Sequence, residues 1–224
     1  WSNFFAMELT KEQIQEIDIH LKSYGIKFWD LRIEMIDHIV SDIELNAKSE
    51  NFKKELTLSL KRIGWLGSLK RINTEGWQNV NRKYRKEYHK GFLNFFKSIK
   101  NISILILGII FFYTLSETLS FKSIKRVSMF LFFSPLIFIF YAYFRNLIKK
   151  YGKSVNLDYG MMYLSLSFMI LQSIPRFFRG QSESTQIIVW FIVLAIHFIA
   201  FNSGYQLYKK SITKVEKMKK ELSI

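Results

Sequence analysis

The chain has no cysteine and only two prolines among its 224 residues. The lack of cysteine excludes disulfide bonds, cysteine-ligated zinc sites, iron–sulfur clusters and thiol nucleophiles. No low-complexity linker divides the chain, and no internal repeat is visible. Acidic residues are scarce too, with 18 Asp and Glu against 33 Lys and Arg.

The motifs of common enzyme classes are also missing. The stretch Gly64–Ser68 lacks the spacing and the lysine of a phosphate-binding loop. There is no nucleophile elbow, zinc-protease motif or kinase signature, and nothing brings Ser, His and Asp together. We therefore expect a protein that is not an enzyme and that holds no cofactor and no metal.

The formal net charge of +15 could indicate nucleic acid binding. The positive residues gather, however, at the ends of hydrophobic segments, where membrane topology accounts for them. We therefore expect the basic surface to meet anionic lipid headgroups, and we expect no nucleic acid partner.

Long apolar runs fill the second half of the chain. A helix of about 20 apolar residues crosses a hydrocarbon layer of about 30 Å, so the runs predict a four-helix transmembrane bundle over residues 101–208. The third run is short and ends at Pro175; three crossings would remain if it lay in the interface. The four runs are Ile102–Leu119, Val127–Phe144, Tyr159–Ile174 and Ile187–Tyr208.

Basic residues close to the ends of the spans set the predicted orientation. They are dense before the first run, between the second and third runs, and in the tail 209–224. Such residues favour the cytoplasmic side of a membrane. Both termini, the middle connection and the basic tail are therefore predicted to be cytoplasmic.

The polar first part of the chain predicts helices as well, which makes the fold class all-α. Residues 1–6 read as an upstream extension or a cloning remnant, and residues 7–72 as a small cytoplasmic domain of three helices. Thr10 and Gln13 match a capping box, and Gly25 and Gly64 match helix stops. The predicted helices begin at Thr10, at Asp30, which is a plausible N-cap, and near Asn51.

Residues 73–100 predict a basic amphipathic helix at the membrane surface. Aromatic residues recur there three to four positions apart, with cations between them, as in interfacial helices. A stiff connector through water is the alternative. The residues expected at the lipid surface are Trp77, Arg82, Lys83, Tyr84, Arg85, Lys86 and Tyr88.

An acidic stripe marks the second helix. Glu34, His38 and Asp42 follow at intervals of four residues, which puts them on one helix face, and Asp37 lies beside them. A metal site is one interpretation, although a single helical stripe rarely surrounds a metal. A solvated face with local ion pairs is another. We favour a surface that docks a basic protein partner.

Acidic or basic residues within the apolar runs are few: Glu117 lies near the outer end of the first run and His197 midway along the fourth, where Asn202 adds a polar side chain. An ionisable group in lipid is costly and is by default a functional candidate. A small-molecule or ion transporter or channel that works as an oligomer is therefore an alternative function. An intramembrane lipid-modifying enzyme ranks last, because Glu117 and Asp158 are predicted at opposite ends of the bundle.

The stretch Leu31–Ile39 (LRIEMIDHI), followed by a helix that ends in Arg62-Ile63-Gly64, resembles the HAAS domain. That domain occurs in bacterial membrane proteins associated with PadR-type regulators and ABC transporters, and the Asp37-His38 pair is similar to membrane proteins of Bacteroidota. The resemblance implies a cytoplasmic sensing or docking module on an anchor in the bacterial inner membrane. We predict a non-enzymatic regulatory or accessory subunit that binds a protein partner or a second copy of itself.

Overall fold

A computed structural model describes residues 8–222, and within them the regular structure is entirely helical. The predicted extension at residues 1–6 lies outside the described residues. The chain divides into two compact units: residues up to Asn81 with Gly152–Asn156, and Arg82–Tyr151 with the remainder from Leu157. The helices are α1 Lys11–Ser23, α2 Trp29–Asn46, α3 Phe52–Arg62, α4 Leu69–Phe95, α5 Ile99–Thr118, α6 Phe121–Phe133, α7 Pro135–Ile148, α8 Val155–Leu171, α9 Ile174–Phe177 and α10 Glu183–Leu222.

The first unit is built on α1, α2 and α3. Its core packs apolar side chains from all three helices, among them Leu21, Ile39 and Leu60. The capping box at Thr10 is confirmed, with Gln13 N donating to Thr10 Oγ1 at 3.3 Å and Thr10 N to Gln13 Oε1 at 2.9 Å.

Two glycines end helices of the first unit. Gly25 and Gly64 have φ of 82° and 73°, the left-handed conformation that glycine adopts without strain. Local sequence rules therefore account for where α1 and α3 stop.

Three helical stretches are long and apolar enough to cross a membrane: Ile99–Thr118, Phe121–Ile148 and Glu183–Glu221. They belong to the second unit, and each displays large apolar side chains on its outside. Leu107 on α5 is 65% exposed and Ile137 on α7 is 73% exposed. Soluble monomers rarely carry large contiguous apolar patches, whereas lipid-facing helices do. The chain is compatible with a membrane protein on this ground.

Phe121–Ile148 is one run of helical turns with a break in its hydrogen bonding. Pro135 has no backbone N–H to give to the carbonyl four residues earlier, that of Leu131. The hydroxyl of Ser134 donates to the Leu131 carbonyl instead, at 2.9 Å. The helical turns therefore continue past Pro135, and the Leu131 carbonyl still accepts a hydrogen bond.

The third predicted span corresponds to α8, which has 17 residues and is not among the three membrane-crossing candidates. It packs closely on α10 through glycines. A side chain at Gly204 would meet the Tyr163 carbonyl oxygen at 2.5 Å and Leu164 Cα at 2.9 Å, and one at Gly160 would meet Ser211. The small residues let the two backbones approach, as at membrane helix interfaces.

Helix α10 has 40 residues and contains most of the predicted tail. At 1.5 Å per residue it is about 60 Å long, twice a hydrocarbon layer of about 30 Å. The segment 209–222 is therefore a continuation of α10, rather than a separate element.

Candidate functional site

The predicted docking stripe lies on α2. The side chains of Glu34, Asp37 and His38 are exposed, and the His38 ring meets Trp65 edge to face with centroids 6.1 Å apart. All three side chains therefore lie at the solvent-exposed surface of α2. Whether a partner binds them stays a prediction.

Asp42 differs from the other members of the stripe. It is only partly exposed, and Arg62 of α3 donates to it from Nε at 2.9 Å and from Nη2 at 2.7 Å. Burial disfavours the charged carboxylate, but the hydrogen bonds from Arg62 and Asn46 and the Arg62 charge outweigh it and lower the pKa of Asp42. Asp42 is thus a tie between α2 and α3, which corrects its assignment as an open docking residue.

Asp30 is the second correction. Helix α2 begins one residue earlier, at Trp29, with Phe28 at the N-cap and no side-chain cap. The Asp30 carboxylate is 1% exposed and reaches a distant segment of the first unit, Gly152–Asn156. Ser154 Oγ donates to it at 2.6 Å, Val155 N at 3.0 Å, Asn156 N at 3.0 Å and Asn156 Nδ2 at 2.7 Å.

Asp30 and the groups that donate to it form a cap for α8, and the capping residue comes from a distant part of the chain. Val155 and Asn156 begin α8, and the first amides of a helix have no acceptor within it. A carboxylate there satisfies the amides and interacts favourably with the helix dipole. Trp29 N adds a bond to the Lys153 carbonyl at 3.1 Å. The start of α2 is therefore fixed to the start of α8.

Arg32, next to the stripe, also has a structural role. Its Nε donates to Asp18 of α1 at 2.6 Å and its Nη1 to the Ile26 carbonyl at 2.9 Å. Burial opposes the charge on Asp18, but its bonds to Lys22 and Arg32 prevail and lower the pKa of Asp18. Helix α2 is thus tied to α1 by Arg32 and to α3 by Asp42. Of the four predicted docking residues, Glu34, Asp37 and His38 are exposed.

The predicted lipid-surface residues on α4 separate into two groups. Trp77, Arg82, Lys83, Arg85 and Lys86 are exposed, so contact with headgroups stays a prediction for them.

Tyr84 and Tyr88 are 6% and 7% exposed and face α8. Their rings lie 6.2 Å from Tyr159 and 5.3 Å from Tyr163, respectively. Burial raises the pKa of Tyr88 to about 12. The prediction that these two tyrosines line the lipid surface is wrong: their spacing of four marks a helix-packing face.

The tail end of α10 is tied to the connection between α7 and α8. Glu216 accepts from Arg145 Nη2 at 3.1 Å and from the Tyr151 hydroxyl. Lys219 Nζ donates to the Lys150 carbonyl at 2.7 Å. Burial and the bond to Glu216 raise the pKa of Tyr151 to about 12. These contacts were not foreseen, since the residues lie up to 71 positions apart.

The intramembrane polar residues do not come together. Glu117 is exposed in the last turn of α5, and Asn202 is half-buried on α10. Ser203, beside Asn202, donates to the Tyr88 carbonyl at 2.7 Å. His197 is buried on α10 among aromatic rings.

Within residues 8–222, no three His, Asp or Glu side chains gather as they would around a metal ion. No protein-family model matches the chain, and no curated protein or solved structure matches it.

Proposed function

We propose that this protein is a non-enzymatic regulatory or accessory subunit of the bacterial inner membrane. Four helices cross the bilayer, both termini are cytoplasmic, and the helical domain docks a protein partner through Glu34, Asp37 and His38. The observation that carries the proposal is the double role of α2. Its open face is acidic and accessible, and its first turn is bonded through Asp30 to the start of a bundle helix.

Two ties support the topology. The segment Gly152–Asn156 folds with α1–α3, which supports a middle connection in the same compartment as the N-terminal domain. Glu216 is bonded to Arg145 and Tyr151, which supports the same compartment for the end of α10. Both observations favour an even number of crossings between the middle connection and the tail, which α8 and α10 would supply.

The length of α8 is compatible with a crossing inside a bundle. Its 17 residues span about 26 Å, close to a hydrocarbon layer of about 30 Å. Gly160 of α8 and Gly204 of α10 let these two helices pack closely. A helix that is partly covered by another helix needs less apolar surface than one that faces lipid on all sides. The dense cations of the middle connection and the tail favour the cytoplasm for that side.

Docking of a partner on α2 would transmit a change from the helical domain to α8. A partner that shifts α2 also acts on Asp30 and hence on the first turn of α8. Exposed cations on α4, including Arg82 and Lys83, would hold anionic headgroups beside the domain. The resemblance to HAAS-type modules is consistent with this role and remains part of the proposal.

Affinity purification of the full chain in mild detergent, followed by mass spectrometry, tests the docking face. The variant carries Glu34→Lys and Asp37→Lys. The control carries Glu16→Lys, which reverses an exposed charge on α1. We expect a stoichiometric companion that the double variant loses and the control keeps. The proposal is contradicted by companions that both variants retain, or by a chain that purifies only with copies of itself, which would favour a transporter.

A further inference from the structure

The second unit contains a cavity of about 100 Å³ where α6 begins and α8 ends, and three cations line it. Lys125 comes from the second turn of α6, Arg176 from α9, and Arg179 from the turn before α10. The lining holds no Asp and no Glu. Helix α6 and the α9–α10 segment thus bring positive charge to one small space.

These three cations lack an acidic partner. Within residues 8–222, none of them forms an ion pair with Asp or Glu. The Lys125 ammonium lies 5.6 Å from the centroid of the Phe121 ring, and an ammonium has three N–H groups to donate. Like charges repel one another, and a bound anion relieves that repulsion. The cavity therefore has the charge of an anion-binding site.

A buried glutamine orders the segment that carries the two arginines. Gln186 is 8% exposed, and its Nε2 donates to the carbonyls of Arg179 at 3.1 Å and Gln181 at 2.9 Å. The Arg179 backbone N–H donates to the Arg176 carbonyl at 3.4 Å. Both guanidinium groups therefore extend from an ordered turn, which lowers the entropy cost of binding.

The remaining walls of the cavity are mostly apolar. Phe132 and Trp190 are buried, with their ring centroids 6.2 Å apart. Met129 and Phe133 also line the cavity, and they are 44% and 41% exposed. Both lie in the candidate membrane span Phe121–Ile148. A ligand with an anionic group and a hydrocarbon chain therefore matches both kinds of wall.

We propose that this cavity binds the phosphate group of an anionic phospholipid, whose chains lie outside it along Met129 and Phe133. A guanidinium donates two parallel hydrogen bonds to phosphate oxygens, which makes arginine the usual residue for such groups. The volume admits a phosphate group but not a whole lipid. The site is separate from the exposed cations of α4 and does not depend on the docking function proposed above.

Two double variants remove the same charge from the same end of the unit. Arg176→Gln with Arg179→Gln takes two cations out of the cavity lining. Lys122→Gln with Arg126→Gln is the control, because these residues of α6 are exposed and do not line the cavity. All four changes are at partly or fully exposed surface positions, where substitutions seldom affect folding.

Native mass spectrometry of the full chain in a non-ionic detergent, titrated with phosphatidylglycerol, tests the site. We expect the arginine variant to bind the lipid about tenfold more weakly than wild type, as for the loss of charged hydrogen bonds, and the control to bind it as wild type does. Diacylglycerol with the same chains, which lacks the phosphate, should not bind. Inorganic phosphate should not displace the lipid more than chloride of equal ionic strength.

Equal losses in the two double variants would show diffuse attraction to surface charge and would overturn the proposal. Unchanged binding to the arginine variant would overturn it as well, as would diacylglycerol that binds as tightly as phosphatidylglycerol. Displacement by inorganic phosphate beyond the chloride control would assign the cavity to the free anion and would contradict a lipid ligand.

Discussion

Asn156 donates both its backbone N–H, at 3.0 Å, and its side-chain amide, at 2.7 Å, to the carboxylate of Asp30. The two residues lie 126 positions apart, and both are almost fully buried. A helix normally finds its cap in the residue just before it. Here Ser154 stands before α8 but gives its hydroxyl to Asp30, so a residue of α2 caps α8.

Asp30→Ala should destabilise the protein by about 2–3 kcal/mol, because it removes the buried carboxylate that accepts hydrogen bonds from Ser154, Val155 and Asn156. Thermal unfolding of the detergent-solubilised chain, followed by circular dichroism, measures the change. Asp37→Ala is the control, since that carboxylate is exposed and its loss should stay within about 0.5 kcal/mol. Equal stability of the two variants would show that the cap contributes nothing.

The tie between Asp42 and Arg62 should make stability depend on pH. The folded-state pKa of Asp42 is lowered, so its contribution is complete above the unfolded pKa of about 3.9 and is lost as the pH falls through the folded value. Asp42→Asn should lower the free energy of unfolding by about 1 kcal/mol at pH 7. As the pH falls from about 5 to about 2, the variant should lose less stability than the wild-type protein does. Asp18 titrates in the same range, so the variant retains part of the acid effect. Parallel pH profiles for the two proteins would refute the assignment.

Close packing between α8 and α10 should be sensitive to Gly204. Gly204→Ala brings a methyl group against the Tyr163 carbonyl oxygen and Leu164 Cα, and overpacking of this kind costs about 1–3 kcal/mol. Gly108→Ala, on α5, adds the same atom in open space and should be tolerated. The midpoint of thermal unfolding compares the two. A larger loss for Gly108→Ala would contradict the packing described for α8.

Local features of the sequence predicted the ends of the first helices. The capping box at Thr10 and the glycines at positions 25 and 64 depend only on residues a few positions away, so a short stretch of sequence is enough to predict them. Apolar length likewise indicated the membrane-crossing stretches of α5, α6–α7 and α10.

The features that the sequence did not predict depend on distant partners. The role of Asp30 requires residues 124 to 126 positions away, and the burial of Tyr84 and Tyr88 requires α8. His197 stood out as an ionisable residue in an apolar run, but its burial also depends on Phe132 of another helix, α6. Composition also could not decide whether α8 crosses, because this depends on how much of its surface packs on α10.

Single-cysteine labelling tests the proposed topology most directly, because the natural chain has no cysteine to interfere. The sites are Ser120, Gln181 and Lys220, which are exposed at the α5–α6 turn, before α10 and near the end of α10. A membrane-impermeant maleimide is applied to right-side-out inner-membrane vesicles, before and after permeabilisation. Four crossings predict that Ser120→Cys and Gln181→Cys react from outside and that Lys220→Cys reacts only after permeabilisation. Reaction of Lys220→Cys from outside, with Gln181→Cys protected, would mean that α8 does not cross, and would contradict the account.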